Sequence, residues 1–434
     1  MSKYRRFIFN NYDFDTATNT LRLHYSFDET VRFSETFVFD FPPVSYDPAA
    51  LDRACQLLFL LAGVSYYKAY LAPEIEIKKA AVDTALAGFL SKTYQQGLGE
   101  FFYTNQLDPH TMIHFPETTD SLSALAQQAN KGLLIGIGGG KDSLVSVELL
   151  RGQAADLATW SVNHRPQLTP LIERIGLPHY WVERTWDLSL LEHNKQGAYN
   201  GHIPISAILA AVGVIVAALS GRRDVVVSNE QSANEPTLTY RGVAINHQYS
   251  KSETFERDFQ AILATSFSGN IRYYSFLRPL SELRIAEIFA QLGFKQYQGV
   301  YSSCNRAYVH SSNHMFWDGT CPKCAFFFLA LTPFVERAEL ETIFGGKNLL
   351  LNPELQDTYR QLLGIAGEKP LECVGEIAEN RAAMRLAQQI YPELSKVYSF
   401  ELPKSYDYRV LGSHSMPEEM FTTLIAGLKQ LAHS

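Results

Sequence analysis

Three consecutive glycines followed by three polar residues form the part of the sequence best suited to chemistry. They follow the apolar segment LLIGI and open the amphipathic segment LVSVELLRG. Glycine lets the backbone approach an anion closely, and the first turn of a helix presents unpaired N–H groups to it. The pattern therefore predicts a strand, a phosphate-binding turn and a helix. The predicted nucleotide-binding residues are Gly138, Gly139, Gly140, Lys141, Asp142 and Ser143.

The spacing of this turn excludes two common nucleotide-binding loops. A Walker A loop needs four residues between its first glycine and its Gly-Lys pair, and the dinucleotide fingerprint needs a third glycine further along. Lys141 supplies a positive charge and Ser143 a hydroxyl for phosphate oxygens. Asp142 is the unusual member, because a carboxylate beside phosphates requires a divalent metal or a helix-capping role.

A Cys-Pro-Lys-Cys segment suggests a second site. Cys321 and Cys324 have the spacing of a zinc knuckle, and Cys304 upstream with Cys373 downstream would complete four thiolates around a structural Zn²⁺. Two thiols on opposite faces of a carbon would instead exchange its proton, if neighbours lowered their pKa. In a third reading the cysteines are buried and inert. Spacing alone leaves all three open.

The elements that must position these residues fall into three regions. Residues 4–41 alternate apolar and polar side chains, which predicts an antiparallel meander. From about residue 48 the apolar spacing is helical. In the middle region the apolar segments GLLIGIG, DLATWSV and DVVVSN alternate with helical stretches, as in a doubly wound parallel sheet. The chain after residue 334 has a helical pattern.

The predicted fold class is therefore α/β, with three regions. A doubly wound parallel sheet occupies residues 131–335. An α+β domain precedes it over residues 1–115, and a helical region follows it over residues 336–434. A polar linker with one helical turn is predicted at residues 117–131.

Composition narrows the class of protein. The chain has 434 residues and a net charge of −7, so no overall positive field attracts nucleic acid. The N-terminus lacks the apolar core of a secretory signal. The longest apolar run, residues 203–219, is predicted as a helix buried against a sheet and not as a membrane span. Five cysteines are too few for a disulfide framework, so a reducing, cytoplasmic compartment is expected.

The glycine turn resembles the PP-loop, the SGGxDS signature of the N-type ATP pyrophosphatase superfamily, with Gly138 in place of the first serine. Segments in the same order over residues 55–385 resemble the UDP-N-acetyl-α-D-muramoyl-L-alanyl-L-glutamate epimerase family. These segments include LAGVSYYKAYLAPEI, NGHIPISAI, VVVSNEQSA, NHQYSKS, YSSCNR, CPKCAFFFLAL and ECVGE.

The resemblance implies a fold, a reaction and its cofactors. The fold is a PP-loop domain of the HUP type. ATP and Mg²⁺ would activate the terminal L-glutamate of a UDP-sugar dipeptide as an acyl adenylate, and its α-carbon would be inverted, releasing AMP and pyrophosphate. The setting would be peptidoglycan precursor synthesis, with a small-molecule substrate and neither nucleic acid nor membrane as partner.

Further residues are assigned roles with this reaction in view. Glu230 follows an apolar strand, where a carboxylate could bind Mg²⁺ or act as a general base. Asp142 would be the second metal ligand. Helix capping is the alternative role for both residues. Arg278 and Arg306 suit the UDP diphosphate or the side chain of the glutamate, although surface ion pairs explain them equally well. The candidates for proton transfer are Cys304, His202, Glu230, His247 and Lys251.

Other functions remain open at this point. An adenylating ligase or amidotransferase resembling 7-cyano-7-deazaguanine synthase would use the same glycine turn and carries a comparable cysteine cluster. A tRNA-modifying PP-loop enzyme is disfavoured by the acidic net charge. A nucleotide sensor would bind ATP without releasing pyrophosphate.

Overall fold

The chain folds around a nine-stranded mixed sheet and also has a small two-stranded sheet. The structure is a computed structural model, and it describes residues 3–44, 46–119, 125, 130–153, 156–308, 312–402 and 406–432. The strands are β1 (Arg6–Asp15), β2 (Thr20–Phe27), β3 (Val31–Asp40), β4 (Glu74–Ile77), β5 (Leu133–Gly136), β6 (Leu157–Val162), β7 (His179–Thr185), β8 (Asp224–Val227), β9 (Leu238–Tyr240), β10 (Val243–Ile245) and β11 (Arg272–Ser275).

Helices cover both faces of the large sheet and form most of the C-terminal third. They are α1 (Pro48–Ala62), α2 (Val64–Tyr67), α3 (Thr84–Gly97), α4 (Gly99–Thr104), α5 (Lys141–Arg151), α6 (Arg165–Ile175), α7 (Ser189–Lys195), α8 (Ile205–Ser220), α9 (Glu253–Ser266), α10 (Glu282–Leu292), α11 (Pro322–Leu331), α12 (Arg337–Ile343), α13 (Gln356–Leu362), α14 (Ile377–Ile390), α15 (Leu394–Val397) and α16 (Glu418–Leu431). Single 3₁₀ turns occur at Gln231–Asn234, Tyr249–Lys251, Leu349–Leu351 and Pro353–Leu355.

The order of strands in the large sheet is β11-β8-β5-β6-β7-β3-β2-β1-β4. The five strands from β11 to β7 are mutually parallel, which confirms the predicted parallel sheet in the middle of the chain. Their order reverses at β5, because β6 and β7 lie on one side of it and β8 and β11 on the other. In doubly wound sheets ligands bind at such a reversal, beyond the carboxyl ends of the strands.

The predicted N-terminal meander is confirmed as β1, β2 and β3, and it shares a sheet with the parallel strands. β3 pairs antiparallel with β7, so Phe39 lies opposite Val182. The sequence did not predict β7, because its segment HYWVERT buries only Val182 fully and shows no clear apolar pattern. Much of the polar linker predicted at residues 117–131 lies outside the described residues.

Two apolar cores lie on the two faces of the sheet. Alternate residues of a strand point to opposite faces, so Leu134 joins the core that contains α1 and α8, while Leu133 and Ile135 join the core with α5, α10 and α11. α8 is buried along most of its length, as predicted for the apolar run. Gly213 lets it approach the sheet, since a Cβ there would lie 2.7 Å from Val225.

One helical stretch in the described part of the chain is long and apolar enough to cross a membrane by length and composition. It is Pro48–Tyr67, which comprises α1 and α2, and 83 % of its apolar window is buried inside the protein. Packing against the sheet and α8 therefore accounts for its apolar character.

Candidate active site

The glycine turn lies at the carboxyl end of β5, the strand at which the sheet order reverses. The turn leads into α5, whose N-cap is Gly140. A Cβ added at Gly138 would meet no heavy atom of the described residues within 4 Å, so this glycine faces open space. The backbone of the turn and the first N–H groups of α5 are thus accessible at the place where an anion would bind.

Gly139 and the carbonyl of Gly138 contact the loop of residues 302–308. Gly139 has a φ of +89°, and a Cβ there would lie 2.2 Å from the hydroxyl of Tyr308. Its carbonyl accepts a hydrogen bond from the N–H of Ser302 at 3.0 Å, and the Gly138 carbonyl accepts one from the Tyr308 hydroxyl at 2.8 Å. Close packing of residues 302–308 therefore requires glycine at position 139.

A cavity of about 650 Å³ opens in front of the turn. Its walls come from the carboxyl ends of β5, β6 and β8, from the first parts of α5, α8 and α11, from the segment after β10 and from the loops that follow α10 and α13. The polar and glycine residues that line it include Gly138, Gly140, Lys141, Asp142, Ser143, Ser161, Asn163, Ser228, Asn229, Glu230, Lys251, Glu282, Ser303, Cys304, Asn305, Lys323 and Cys373. Trp160 and Val162 of β6 also line it.

Lys141 is buried beneath the turn and paired with acids. Its ammonium group contacts the carboxylates of Asp142 and Glu282. Burial by itself lowers the pKa of Lys141, but the two carboxylates outweigh it and raise this pKa above its ordinary value. The lysine therefore stays charged. Glu282, the first residue of α10, was not predicted as a site residue.

Lys251 and Cys373 form a second polar pair on the cavity wall. The ammonium nitrogen of Lys251 lies 3.1 Å from the Cys373 sulfur. The neighbouring sulfur is the main cause that raises the pKa of Lys251, and Glu230 adds to the effect against the opposing effect of burial. The predicted catalytic residue Lys251 thus has the sulfur of Cys373 as its partner on the cavity wall.

Arg278, predicted to bind substrate, is fully buried outside the lining of the cavity. Its guanidinium pairs with Glu256 at 2.9 Å and donates to the backbone carbonyls of Glu230, at 2.7 Å, and of Lys251. In this arrangement Arg278 fixes two cavity-lining residues in position. Arg306, by contrast, has a side chain that is 67 % exposed, 3.5 Å from Asp318.

The two predicted histidines lie in a polar region next to Lys251. His202 Nδ1 is 3.2 Å from a carboxylate oxygen of Glu100. Burial, assisted by the positive charge of Lys251, lowers the pKa of His202 to about 4, and burial with the charge of Glu372 raises the pKa of Glu100 to about 7. His202 is therefore neutral at neutral pH.

His247 is also held neutral. Burial and the charge of Lys251 lower its pKa to about 3. Its Nδ1 lies 2.6 Å from the Thr237 hydroxyl, and its buried Nε2 has no hydrogen-bond partner within the described ranges. Neither His202 nor His247 lines the cavity, so both would influence it through Lys251.

Three of the four cysteines predicted as zinc ligands come together. The sulfurs of Cys304, Cys321 and Cys324 and a carboxylate oxygen of Asp318 all lie within 4.8 Å of one another. Cys373 does not belong to this group, because its sulfur is paired with Lys251. Asp318 thus takes the place that the sequence interpretation gave to Cys373. Its position three residues before Cys321 was the available signal.

These features define the protein as an α/β protein with a glycine turn at the switch point of its sheet and a polar cavity in front of it. The chain belongs to the MurL family: the model of the MurL N-terminal domain matches residues 1–276, and that of the MurL C-terminal domain matches residues 300–397. The resemblance of the sequence to the glutamate epimerase family is confirmed.

Curated relatives agree with the family models. The chain is similar to the UDP-N-acetyl-alpha-D-muramoyl-L-alanyl-L-glutamate epimerase of Xanthomonas oryzae pv. oryzae, with 40 % identity over 85 % of this chain and 83 % of the relative. A protein of the same name from Micromonospora sp. is 40 % identical, over 88 % of this chain and 86 % of its own length. One from Salinispora tropica is 38 % identical, with coverage of 88 % and 84 %.

Proposed function

We propose that this protein is an ATP-dependent epimerase that inverts the terminal L-glutamate of UDP-N-acetylmuramoyl-L-alanyl-L-glutamate, as a cytoplasmic step of peptidoglycan precursor synthesis. Family membership and the names of the three relatives support the substrate and the inversion. The observation that carries the proposal is the shared cavity. The glycine turn forms one part of its wall, and the Lys251–Cys373 pair forms another.

ATP would lie with its phosphates on the glycine turn. Gly138 leaves room for them, and the N-terminus of α5 offers N–H groups and the positive end of the helix dipole. Mg²⁺ prefers carboxylate oxygens, and Asp142 and Glu230 present such oxygens to the cavity, with Glu282 beside them. The bound cation would offset the negative charge of phosphates close to these acids.

Activation makes the α-proton of glutamate removable. A carboxylate oxygen of the substrate attacks the α-phosphorus of ATP, and the bond to pyrophosphate breaks. The resulting mixed anhydride has lost the carboxylate charge, so the electron pair released with the α-proton can move onto the carbonyl oxygen as an enolate. A proton is then delivered to the opposite face of the carbon. Water finally hydrolyses the anhydride to AMP and the D-configured acid.

We assign the exchange of the α-proton to Cys373, with Lys251 as the cation beside its sulfur. Both residues line the cavity, and their 3.1 Å separation is that of a hydrogen bond involving sulfur. Inversion needs a second group on the other face. Glu230 lines the same cavity and is the candidate for it, which leaves Asp142 as the carboxylate for Mg²⁺. Cys304 lines the cavity too, but its sulfur lies in the cysteine cluster.

The test is isotope exchange coupled to nucleotide analysis. Enzyme, ATP, Mg²⁺ and the L-glutamate substrate in D₂O should give product deuterated at the glutamyl α-carbon, with one AMP formed for each inversion. Reactions without ATP, or with an analogue whose α,β-bridge is a methylene group, should show no exchange. Formation of ADP would refute the adenylation step. AMP formation without inversion would instead identify an adenylating ligase.

A further inference from the structure

The cysteine cluster lies behind the loop that covers the glycine turn. Cys321 is the N-cap of α11, and Cys324 lies in the first turn of that helix. Cys304 approaches them from the preceding loop, with its sulfur 3.9 Å from that of Cys321. The sulfurs of Cys321 and Cys324 are 3.5 Å apart, and Cys324 Sγ lies 3.2 Å from Asp318 Oδ1.

These separations match the edges of a metal coordination tetrahedron. Zn–S bonds of about 2.3 Å at tetrahedral angles place two sulfurs about 3.8 Å apart. The measured sulfur–sulfur distances of 3.5 and 3.9 Å lie on either side of that value. A carboxylate oxygen bonded to zinc at about 2.0 Å would lie about 3.5 Å from each sulfur, close to the position of the Asp318 oxygen.

Backbone groups already orient the ligand atoms. The N–H of Arg306 donates to the Cys304 sulfur at 3.3 Å, and the N–H groups of Thr320 and Cys321 donate to Asp318 Oδ1 at 2.9 and 3.2 Å. Such outer contacts fix ligands before the metal binds. Asp318 is 9 % exposed, so its carboxylate is largely withdrawn from water.

We propose that Cys304, Asp318, Cys321 and Cys324 bind one Zn²⁺ in a closed structural site that holds the loop of residues 302–308 against the glycine turn. Four protein ligands leave no coordination position for substrate, which is the property of a structural centre. The loop fixed by Cys304 contacts the turn directly, through the Ser302 N–H on Gly139 and the Tyr308 hydroxyl on Gly138. Cys373 has no part in the site.

Metal analysis of variants tests the ligand set. The purified protein, or protein reconstituted with zinc, should contain about one zinc per chain, and the Cys324→Ser variant should lose it. The Cys373→Ser variant is the matched control and should keep full zinc content. Replacement of zinc by Co²⁺ should give thiolate charge-transfer absorption that Asp318→Cys strengthens and Cys304→Ser weakens. This Co²⁺ spectrum decides the ligand set even if Cys324→Ser fails to fold.

Three outcomes would overturn the ligand assignment. The first is that the wild-type protein binds neither zinc nor cobalt. The second is that Cys373→Ser loses as much metal as Cys324→Ser, and the third is that the purified protein contains an iron chromophore.

Amide hydrogen exchange tests, without relying on catalysis, whether zinc holds the 302–308 loop against the glycine turn. Removal of zinc by a chelator should speed exchange in the peptide that contains Ser302 and Tyr308, and in the glycine turn. Peptides from α1, on the opposite face of the sheet, should exchange at unchanged rates. Equal exchange rates in the 302–308 loop with and without zinc would refute the proposal that zinc holds this loop against the glycine turn.

Discussion

The ammonium group of Lys141 and the carboxylate of Glu282 form an ion pair in which both side chains are 4 % exposed. The pair joins the first residue of α5 to the first residue of α10 beneath the glycine turn. Helix starts are set by local sequence, but their relative position depends on tertiary contacts such as this one. The pair therefore fixes the floor of the cavity.

Breaking the Lys141–Glu282 pair from one side should be more costly than removing both partners. Lys141→Met should lower the free energy of unfolding by about 3 kcal/mol, because it leaves the buried Glu282 without its cation. Glu282→Gln should cost less, because Lys141 keeps its contact with Asp142. The double variant should lose less than the sum of the two. Urea unfolding of the four proteins measures the coupling, and strictly additive losses would contradict the pairing.

The first two glycines of the turn should respond in opposite ways to alanine. Gly138→Ala should keep the wild-type free energy of unfolding within about 0.5 kcal/mol, because its Cβ points into open space. That Cβ would enter the proposed phosphate site, so ATP should stabilise this variant less than wild type in thermal melts. Unchanged stabilisation by ATP would argue against phosphates at Gly138.

Gly139→Ala should destabilise the protein by about 2 kcal/mol or more, because a positive φ is strained for alanine. The new Cβ would also collide with the Tyr308 hydroxyl. Urea unfolding of the Gly138→Ala and Gly139→Ala variants side by side gives the comparison. If Gly139→Ala proved as stable as Gly138→Ala, the close packing of residues 302–308 on the turn would be wrong.

The sequence predicted what depends on local pattern. The meander, the helix starting at Lys141 and the buried helix Ile205–Ser220 all follow from the spacing of apolar residues. It did not predict that β3 and β7 join two sheets into one, since edge pairing between strands distant in sequence leaves no local signal.

For the site, too, the sequence indicated the residues that have a local signal and missed those that depend on tertiary contacts. The glycine turn, Glu230 and Lys251 were found from their types and positions, and all lie at one cavity. Glu282 was missed because it looks like an ordinary acidic residue in the first turn of a helix. Asp318 was missed because counting thiols favoured Cys373, and only the folded chain shows that Cys373 is paired with Lys251.

Arg278 should be essential for stability, unlike a neighbouring arginine on the surface. Arg278→Met leaves the buried carboxylate of Glu256 unpaired and should cost about 3–5 kcal/mol of folding free energy. Arg257 pairs with Glu253 on the same helix α9 but is 60 % exposed, so Arg257→Met should cost about 0.5 kcal/mol or less. Similar unfolding midpoints for the two variants would refute the positioning role of Arg278.

Glu100 should make the stability of the protein depend on pH. Its pKa is raised to about 7 by burial and by Glu372, so the folded protein holds a proton that the unfolded chain releases at lower pH. The stabilisation is complete below the unfolded pKa and is lost as the pH rises towards 7. Glu100→Gln stays neutral, so by about pH 8 it should exceed wild type by about 1–2 kcal/mol.

Urea unfolding of wild type and Glu100→Gln at several pH values between about 5 and 8 checks this expectation. Glu379, whose pKa is also raised to about 7 by burial, is present in both proteins, so the difference between them isolates Glu100. A difference that stays constant across this range would show that Glu100 does not titrate there.

Lys251 should be required for proton exchange in a way that depends on its charge. Lys251→Met removes the cation beside Cys373 and should slow deuterium incorporation at the glutamyl α-carbon by about 100-fold or more. Lys251→Arg keeps a positive charge and should recover part of the rate. Lys347, an exposed residue in the loop after α12, provides the matched control Lys347→Met, which should exchange at the wild-type rate.

Loss of the ammonium group should also be visible in the chemistry of the thiol itself. Since a neighbouring cation attracts negative charge on a sulfur atom, alkylation of Cys373 by iodoacetamide at neutral pH should be slower in Lys251→Met than in wild type and in Lys347→Met. Peptide mass analysis separates Cys373 from the other cysteines. A variant that exchanged deuterium slowly but alkylated Cys373 at the wild-type rate would assign Lys251 to the enolate and not to the thiol. Wild-type rates in both assays would remove the pair from the mechanism.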